Sequence, residues 1–204
     1  MTMLIKDPRL EENLIESRKR TDADRWDEVW DGVYVVSPLP NIEHQEIVSC
    51  FIEILGETIR RTGLGNVYPG VNLSDQVEDW AYNYRAPDVA VFLKAGKAIA
   101  SKAHYRGPAD FLVEIVSPYD ATYEKIPFYD KLGVVELLIV DRDPWKLELH
   151  ARIDGRLQKT GESNLENPAI LHSRSTSLSF QLVPGKDRPQ IAVEHSPSGK
   201  KWTV

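Results

Sequence analysis

The chain has 204 residues and a mass of 23.2 kDa, the size of one domain whose core needs no disulfide or metal staple. Hydrophobic residues make up 42% and charged residues 27%, a soluble globular balance; 25 Lys and Arg against 31 Asp and Glu leave a net charge of −6, which excludes a uniformly basic nucleic-acid coat but not a local basic groove beside an acidic metal site. A single cysteine, Cys50, excludes an intrachain disulfide and a cysteine zinc site and points to a reducing compartment, the cytoplasm, while residues 1–14 carry no signal-peptide apolar segment and no apolar run reaches the about 18 residues of a membrane span.

Residues 1–25 mix charges without a strong period and read as an arm, part of it helical. Residues 26–38 read as a hairpin turning at Asp31-Gly32. Asn41 is an N-cap for an amphipathic helix over residues 44–62, where Ile47, Val48, Phe51, Ile52, Ile54, Leu55 and Ile59 recur at steps of three and four. His44 shares a stripe with Val48, Phe51 and Leu55, at the inner edge of the first turn. Gly63 and Gly65 end the helix, and residues 66–73 are extended, broken at Pro69-Gly70. Residues 87–93 and 111–116 are short apolar runs that read as buried strands, the second closed by Ser117-Pro118. A helix follows over residues 122–132, with Pro127 in its first turns and Gly133 at its end. Residues 137–140 form a third buried strand ended by Asp141; residues 146–153 alternate and run into a turn at Asp154-Gly155. From residue 161 the chain is richer in Ser, Asn and Pro, with strand-like pieces such as 178–183. Strands alternating with helices predict an α/β or α+β layer around a mixed sheet.

Two carboxylates stand inside those apolar strands, Asp88 and Glu114. An ionised carboxylate there costs several kcal/mol unless it is paired, hydrogen-bonded or metal-bound. Two in neighbouring strands suggest a shared hard cation, Mg²⁺ or Mn²⁺, whose remaining positions go to water and substrate phosphate. Lys125, in the helix after the Glu114 strand, can reach back toward the same cation to neutralise charge on a phosphorane or to orient the attacking water. Tyr129 shares its face one turn on; Lys131 points elsewhere. His44 and Gln45 open the long helix, whose N-terminus favours anions, and are candidates for contacts to phosphate or metal-bound water. Glu28, before the Asp-Gly turn, can lend another carboxylate. Against these stand plainer readings: a core-edge histidine, a surface acid, a solvated lysine. No Walker loop, G-x-S-x-G elbow or H-E-x-x-H string occurs.

Pro87-Asp88 followed by Glu114-Ile115-Val116 resembles the PD-(D/E)XK nuclease superfamily, with Val116 where the strand lysine would stand. The variant resembles the Uma family of bacterial restriction endonucleases in several strings: Glu28-x-x-Asp31-Gly32, the histidine heading a long helix, Arg85-Ala86-Pro87-Asp88, Val113-Glu114-Ile115-Val116-Ser117-Pro118, Lys125-x-x-x-Tyr129-x-x-x-Gly133-Val134, and Glu136 before a buried strand. The likeness covers about residues 24–155. It implies a restriction-endonuclease-like α/β core, a central mixed sheet flanked by helices, occupying residues 26–160 after an arm of residues 1–25. Residues 161–204 are then a β-rich extension packed on the same domain. It further implies Mg²⁺-dependent hydrolysis of DNA by a homodimer, with Asp88 and Glu114 holding the metal, Lys125 in place of the strand lysine, and His44 or Gln45 touching phosphate. Two other classes compete: a non-catalytic nucleic-acid- or protein-binding module on the same fold, which the acidic charge favours, and a small-molecule phosphoesterase. Residues 18–20, 60–61 and 94–102 are the basic runs available for DNA.

Overall fold

The computed structural model describes residues 8–37, 40–118 and 121–204; residues 1–7 of the arm and the Pro38-Leu39 approach to the long helix lie outside them. Within the arm, Pro8–Arg20 is helical (α1). It is fastened by Arg18, whose Nε and a terminal nitrogen donate to Asp27 at 2.5 and 2.7 Å. Asp27 is buried and also accepts from Tyr34 Oη and Ser37 N, so Arg18 is a structural cation rather than one presented to DNA. The hairpin joins β1 (Glu28–Trp30) to β2 (Val33–Val35), with Asp31 and Gly32 both at positive φ, 49° and 84°, the backbone that Asp-Gly adopts readily in a two-residue turn.

Helix α2 (Ile42–Leu55) begins where Asn41 Oδ1 accepts from His44 N at 2.9 Å, and it buries His44, Ile47, Phe51, Ile54 and Leu55. The expected continuation to residue 62 is not α-helical: Gly56–Arg60 forms a π turn. There the Thr58 and Thr62 hydroxyls donate to the carbonyls of Ile54 and Thr58, so side chains share acceptors that a regular helix reserves for backbone N–H groups. Strand β3 (Gly65–Pro69) follows, then the short strands β4 (Leu73–Ser74) and β5 (Tyr84–Arg85), then β6 (Val89–Leu93), β7 (Ile99–Ala100), β8 (Tyr105–Arg106) and β9 (Phe111–Ile115). The residue 122–132 helix is split: Thr122–Lys125 is a 3₁₀ turn, and α3 spans Ile126–Leu132 with Pro127 in its first turn and Gly133, φ 92°, after its end. Proline lacks the donor for an interior helical bond, so the α-helix starts where that loss has no cost. The chain continues through β10 (Glu136–Arg142), β11 (Trp145–Ile153), β12 (Arg156–Asn164), β13 (Leu171–His172), β14 (Leu178–Val183), β15 (Gln190–His195) and β16 (Lys200–Thr203).

The described strands form three sheets. The central one is mixed, ordered β12-β11-β10-β9-β6-β3, with β9 and β10 parallel and the rest antiparallel. The second gathers short strands in the order β2-β1-β5-β4-β8-β7, and the third is the antiparallel β13-β14-β15-β16. Both faces of the central sheet are covered, which is why β6 and β9 read as continuous apolar runs. One face carries Val89, Val91, Phe111, Val113, Leu138 and Val140 against α2 and the third sheet. Phe180 of β14 packs there, its ring 6.1 Å from Phe51 and 5.9 Å from Phe111. The other face sets Ala90, Leu112, Leu137 and Ile139 against Phe128 and Tyr129 of α3. Burying side chains such as Phe180, Leu182 and Ile191 contributes about 1.5–3 kcal/mol each. Glu136 adds a polar anchor to this interface: it is buried and accepts from Ser173 Oγ (2.6 Å), Arg174 N (2.9 Å) and Ser175 N (3.0 Å).

Candidate active site

Strands β6 and β9 run antiparallel with Val89 opposite Val113. One step further along this register Asp88 comes opposite Glu114. Because Val113 points into the α2 core, Glu114 points to the α3 side, whereas Asp88, just before β6, reaches His44 of α2. Asp88 Oδ2 accepts from Ile115 N at 2.7 Å and Oδ1 from His44 Nε2 at 2.9 Å. Its side chain is 20% exposed, while that of Glu114 is 2% exposed.

Around Glu114 the chain supplies two donors. Tyr129 Oη donates to Oε1, and Lys125 Nζ lies 3.3 Å from both oxygens. Lys125 comes from the 3₁₀ turn and Tyr129 from α3, so the placement of Pro127 sets the reach of both. Lys125 Nζ also lies 3.0 Å from Glu28 Oε1. Glu28 is buried in β1 and accepts from Ala86 N (2.8 Å) and Trp30 Nε1 (2.6 Å). Burial pushes the Glu114 carboxyl up to about 8; Lys125 pulls it down, and the charges of Asp88 and Glu28 push it further up. Burial likewise holds the Tyr129 phenol well above its ordinary range, so it remains a donor. Behind Glu28, Arg85 is clasped between the Trp30 and Phe128 rings at 4.4 and 4.3 Å, its pKa lowered by burial.

Asp88, Glu114, Lys125, Glu28 and His44 therefore converge. Gln45 does not: it is exposed on α2 beside Ile42, Glu46 and Ser49, because successive helical residues are turned by about 100° and His44 takes the inward position. Lys131 is exposed and pairs with Asp75. Arg85 and Ser117, the latter 3.2 Å from His44 Nδ1, belong to the site's surroundings although no spacing marked them out; Arg85 does stand three residues before Asp88. Among the described residues no set of three or more His, Cys, Asp and Glu side chains converges as a metal cage. What converges is a pair of carboxylates with a lysine, in which Asp88 Oδ1 accepts from His44 and Oδ2 from Ile115 N and each retains acceptor capacity toward solvent.

The mixed α/β sheet architecture is that of a restriction-endonuclease-like nuclease family. The family model Uma2, described as "Putative restriction endonuclease", matches residues 13–183. The chain belongs to that family. Its fold is similar to a crystal structure from Anabaena variabilis, described as "a putative nuclease belonging to DUF820", with a TM-score of 0.57 and 17% identity over 74% of this chain and 82% of that one. No curated protein matches the chain. No helix among the described residues is long and apolar enough to cross a membrane.

Proposed function

We propose that the chain is a divalent-metal-dependent DNA endonuclease, with Asp88 and Glu114 as metal ligands and Lys125 assisting the reaction. The observation that carries this reading is that Asp88, just before β6, accepts from Ile115 N, the neighbour of Glu114 in β9, while Lys125 reaches Glu114. The residues fit a hard divalent cation: the donors are carboxylate oxygens, and Glu28 and Glu114 share one ammonium group while the charge of Asp88 also acts on Glu114, which leaves negative charge for a cation to offset. Mg²⁺, or Mn²⁺ with the same oxygen preference, would supply Lewis-acid activation of water and charge neutralisation at a phosphodiester. Asp88, the more exposed carboxylate, faces the substrate side; His44 holds its Oδ1 and Ile115 N its Oδ2. Tyr129 and Lys125 fix the Glu114 carboxylate, and the Lys125 ammonium stabilises negative charge growing on the phosphoryl oxygens. Glu28 holds Lys125 from the other side. Cutting both strands of a duplex needs two such sites, so the working form is a homodimer.

The test is calorimetric titration of Mg²⁺ and Mn²⁺ into wild type, Asp88→Ala and Glu114→Ala, with nicking of supercoiled plasmid followed alongside and stopped by EDTA. Wild type is expected to bind metal and nick, and both variants to lose both properties. A wild type that binds no metal with or without DNA refutes the proposal, and a non-catalytic binding module on the same fold then takes its place.

A further inference from the structure

The imidazole of His44 connects Asp88 to a line of donors leading away from the carboxylate pair. A carboxylate accepts, so the 2.9 Å contact of His44 Nε2 with Asp88 Oδ1 is an N–H donation. On the other side of the ring, Nδ1 lies 3.2 Å from Ser117 Oγ, just beyond the end of β9. Ser117 Oγ accepts from Arg142 Nη2 at 3.3 Å, and a guanidinium is a donor only. Ser117 Oγ therefore stands between the two, within hydrogen-bond distance of His44 Nδ1 and accepting from Arg142. Arg142, the last residue of β10, has a side chain 7% exposed. Its Nε and Nη2 each donate to Val116 O at 3.2 Å, and its Nη1 donates to Glu43 Oε2 at 2.8 Å and Asn41 Oδ1 at 3.1 Å. Asn41 Oδ1 is the same atom that caps α2 at His44 N. One guanidinium therefore ties together the ends of β9 and β10 and the first turn of α2.

We propose that Arg142 and Ser117 are positioning residues that act through His44 to fix the Asp88 carboxylate. This rests on the reading of Asp88 as a ligand of the divalent cation. With His44 on Oδ1 and Ile115 N on Oδ2 the carboxylate is held from both sides, and the hydrogen-bond partner at Nδ1 holds the orientation of His44. Groups that orient a metal ligand in this way are typically worth about 10–100-fold in metal affinity or activity. Removing the Ser117 hydroxyl takes away the contact at Nδ1 and lets the ring turn, so Asp88 loses its fixed direction while DNA binding elsewhere is untouched.

The experiment uses the full chain as Ser117→Ala, Ser117→Thr and Arg142→Gln, each first shown to be folded by circular dichroism. Single-turnover plasmid nicking with Mn²⁺ gives rate and KM, calorimetry gives Mn²⁺ affinity, and the ¹⁵N resonances of the His44 ring are recorded in metal-free protein. Ser117→Ala and Arg142→Gln are expected to nick about 10–100-fold more slowly with KM for DNA unchanged, and Ser117→Thr to recover to within about threefold of wild type. The His44 Nδ1 resonance is expected to move in Ser117→Ala and to return in Ser117→Thr. A Ser117→Ala variant with the wild-type rate overturns the proposal, as does a Thr variant as slow as the Ala variant. Covalent labelling of Ser117 by a fluorophosphonate overturns it too, since the serine would then be a nucleophile. The resonance arm needs neither metal nor turnover: an inactive, metal-free wild type defeats the nuclease reading, whereas an unmoved His44 resonance in Ser117→Ala defeats the positioning role.

Discussion

Replacing Lys125 by Met removes an ammonium group and keeps the length of the side chain. Nζ lies 3.0 Å from Glu28 Oε1 and 3.3 Å from both Glu114 oxygens, with the lysine side chain 12% exposed and both glutamates 2%. At an effective dielectric of about 20, each contact amounts to roughly 5 kcal/mol of attraction. Much of that offsets desolvation, and removing one partner of a buried pair costs about 3–5 kcal/mol. The loss falls at the low end here, because the Glu114 carboxyl, raised by burial to about 8, can take up a proton once the ammonium is gone. Urea unfolding of Lys125→Met in EDTA at pH 7 is therefore expected to show a loss of about 3 kcal/mol with the slope unchanged. Its Mg²⁺ affinity is expected to rise, because an incoming cation no longer competes with an ammonium for the same carboxylates. Plasmid nicking is expected to fall by about 10²–10³-fold, the scale for losing one group that stabilises developing oxyanion charge. Metal affinity and rate moving in opposite directions is the signature. A variant whose nicking falls only in proportion to weakened metal binding would show that Lys125 merely maintains the site, and one that nicks at the wild-type rate would remove it from the mechanism.

Glu136→Ala leaves the Ser173 hydroxyl and the Arg174 and Ser175 amides without their buried acceptor. The expected cost is about 3–5 kcal/mol in urea unfolding, with faster proteolysis between β12 and β14; a loss below about 1 kcal/mol refutes the anchoring role. Glu148 contacts His150, Lys146 and Lys159, at 3.4, 3.0 and 3.3 Å. The His150 hydrogen bond first, then Lys146 and Lys159, hold its carboxyl down at about 2. The folded value lies below the unfolded one of 4.5, so this stabilisation is complete above about pH 5 and disappears as the pH falls toward 2. Solvent screening through the partly exposed lysines trims it to about 1–2 kcal/mol. The gap in urea midpoint between wild type and Glu148→Gln should close between about pH 5 and pH 2; a constant gap shows that the effect is packing.

The carboxylate pair was legible because β6 and β9 are covered on both faces, so Glu114 stands out within one apolar run and Asp88 at the head of the other. Their registration across the two strands was not, since antiparallel pairing leaves no mark in a sequence separation. Glu28 read as an acid before a turn; its burial comes from β1 pairing with β5, 55 residues away at Val29 and Tyr84. Gln45 was misplaced because a polar residue in a first helical turn faces inward or outward according to a rotation that the neighbouring sheet decides. Arg142 could not be connected with the site at all: its partner Asn41 is 101 positions away. The alternation of Leu178–Val183 was visible and matches its alternating burial, but nothing local shows that Phe180 lies beneath Phe111. The two-residue strands β4, β5, β7 and β8 are too short to leave a period.

The packing of β14 beneath β9 has a consequence for the order of events during synthesis. Glu114 is translated 64 positions before Leu178, an interval of about 3–13 s at ordinary elongation rates. Throughout that interval the α2 side of β9 lacks Phe180 and Leu182, two of the side chains that complete its core. The carboxylates of a nascent chain therefore sit on an unfinished platform, and the ribosome releases the rigid site only after the last sheet has been made.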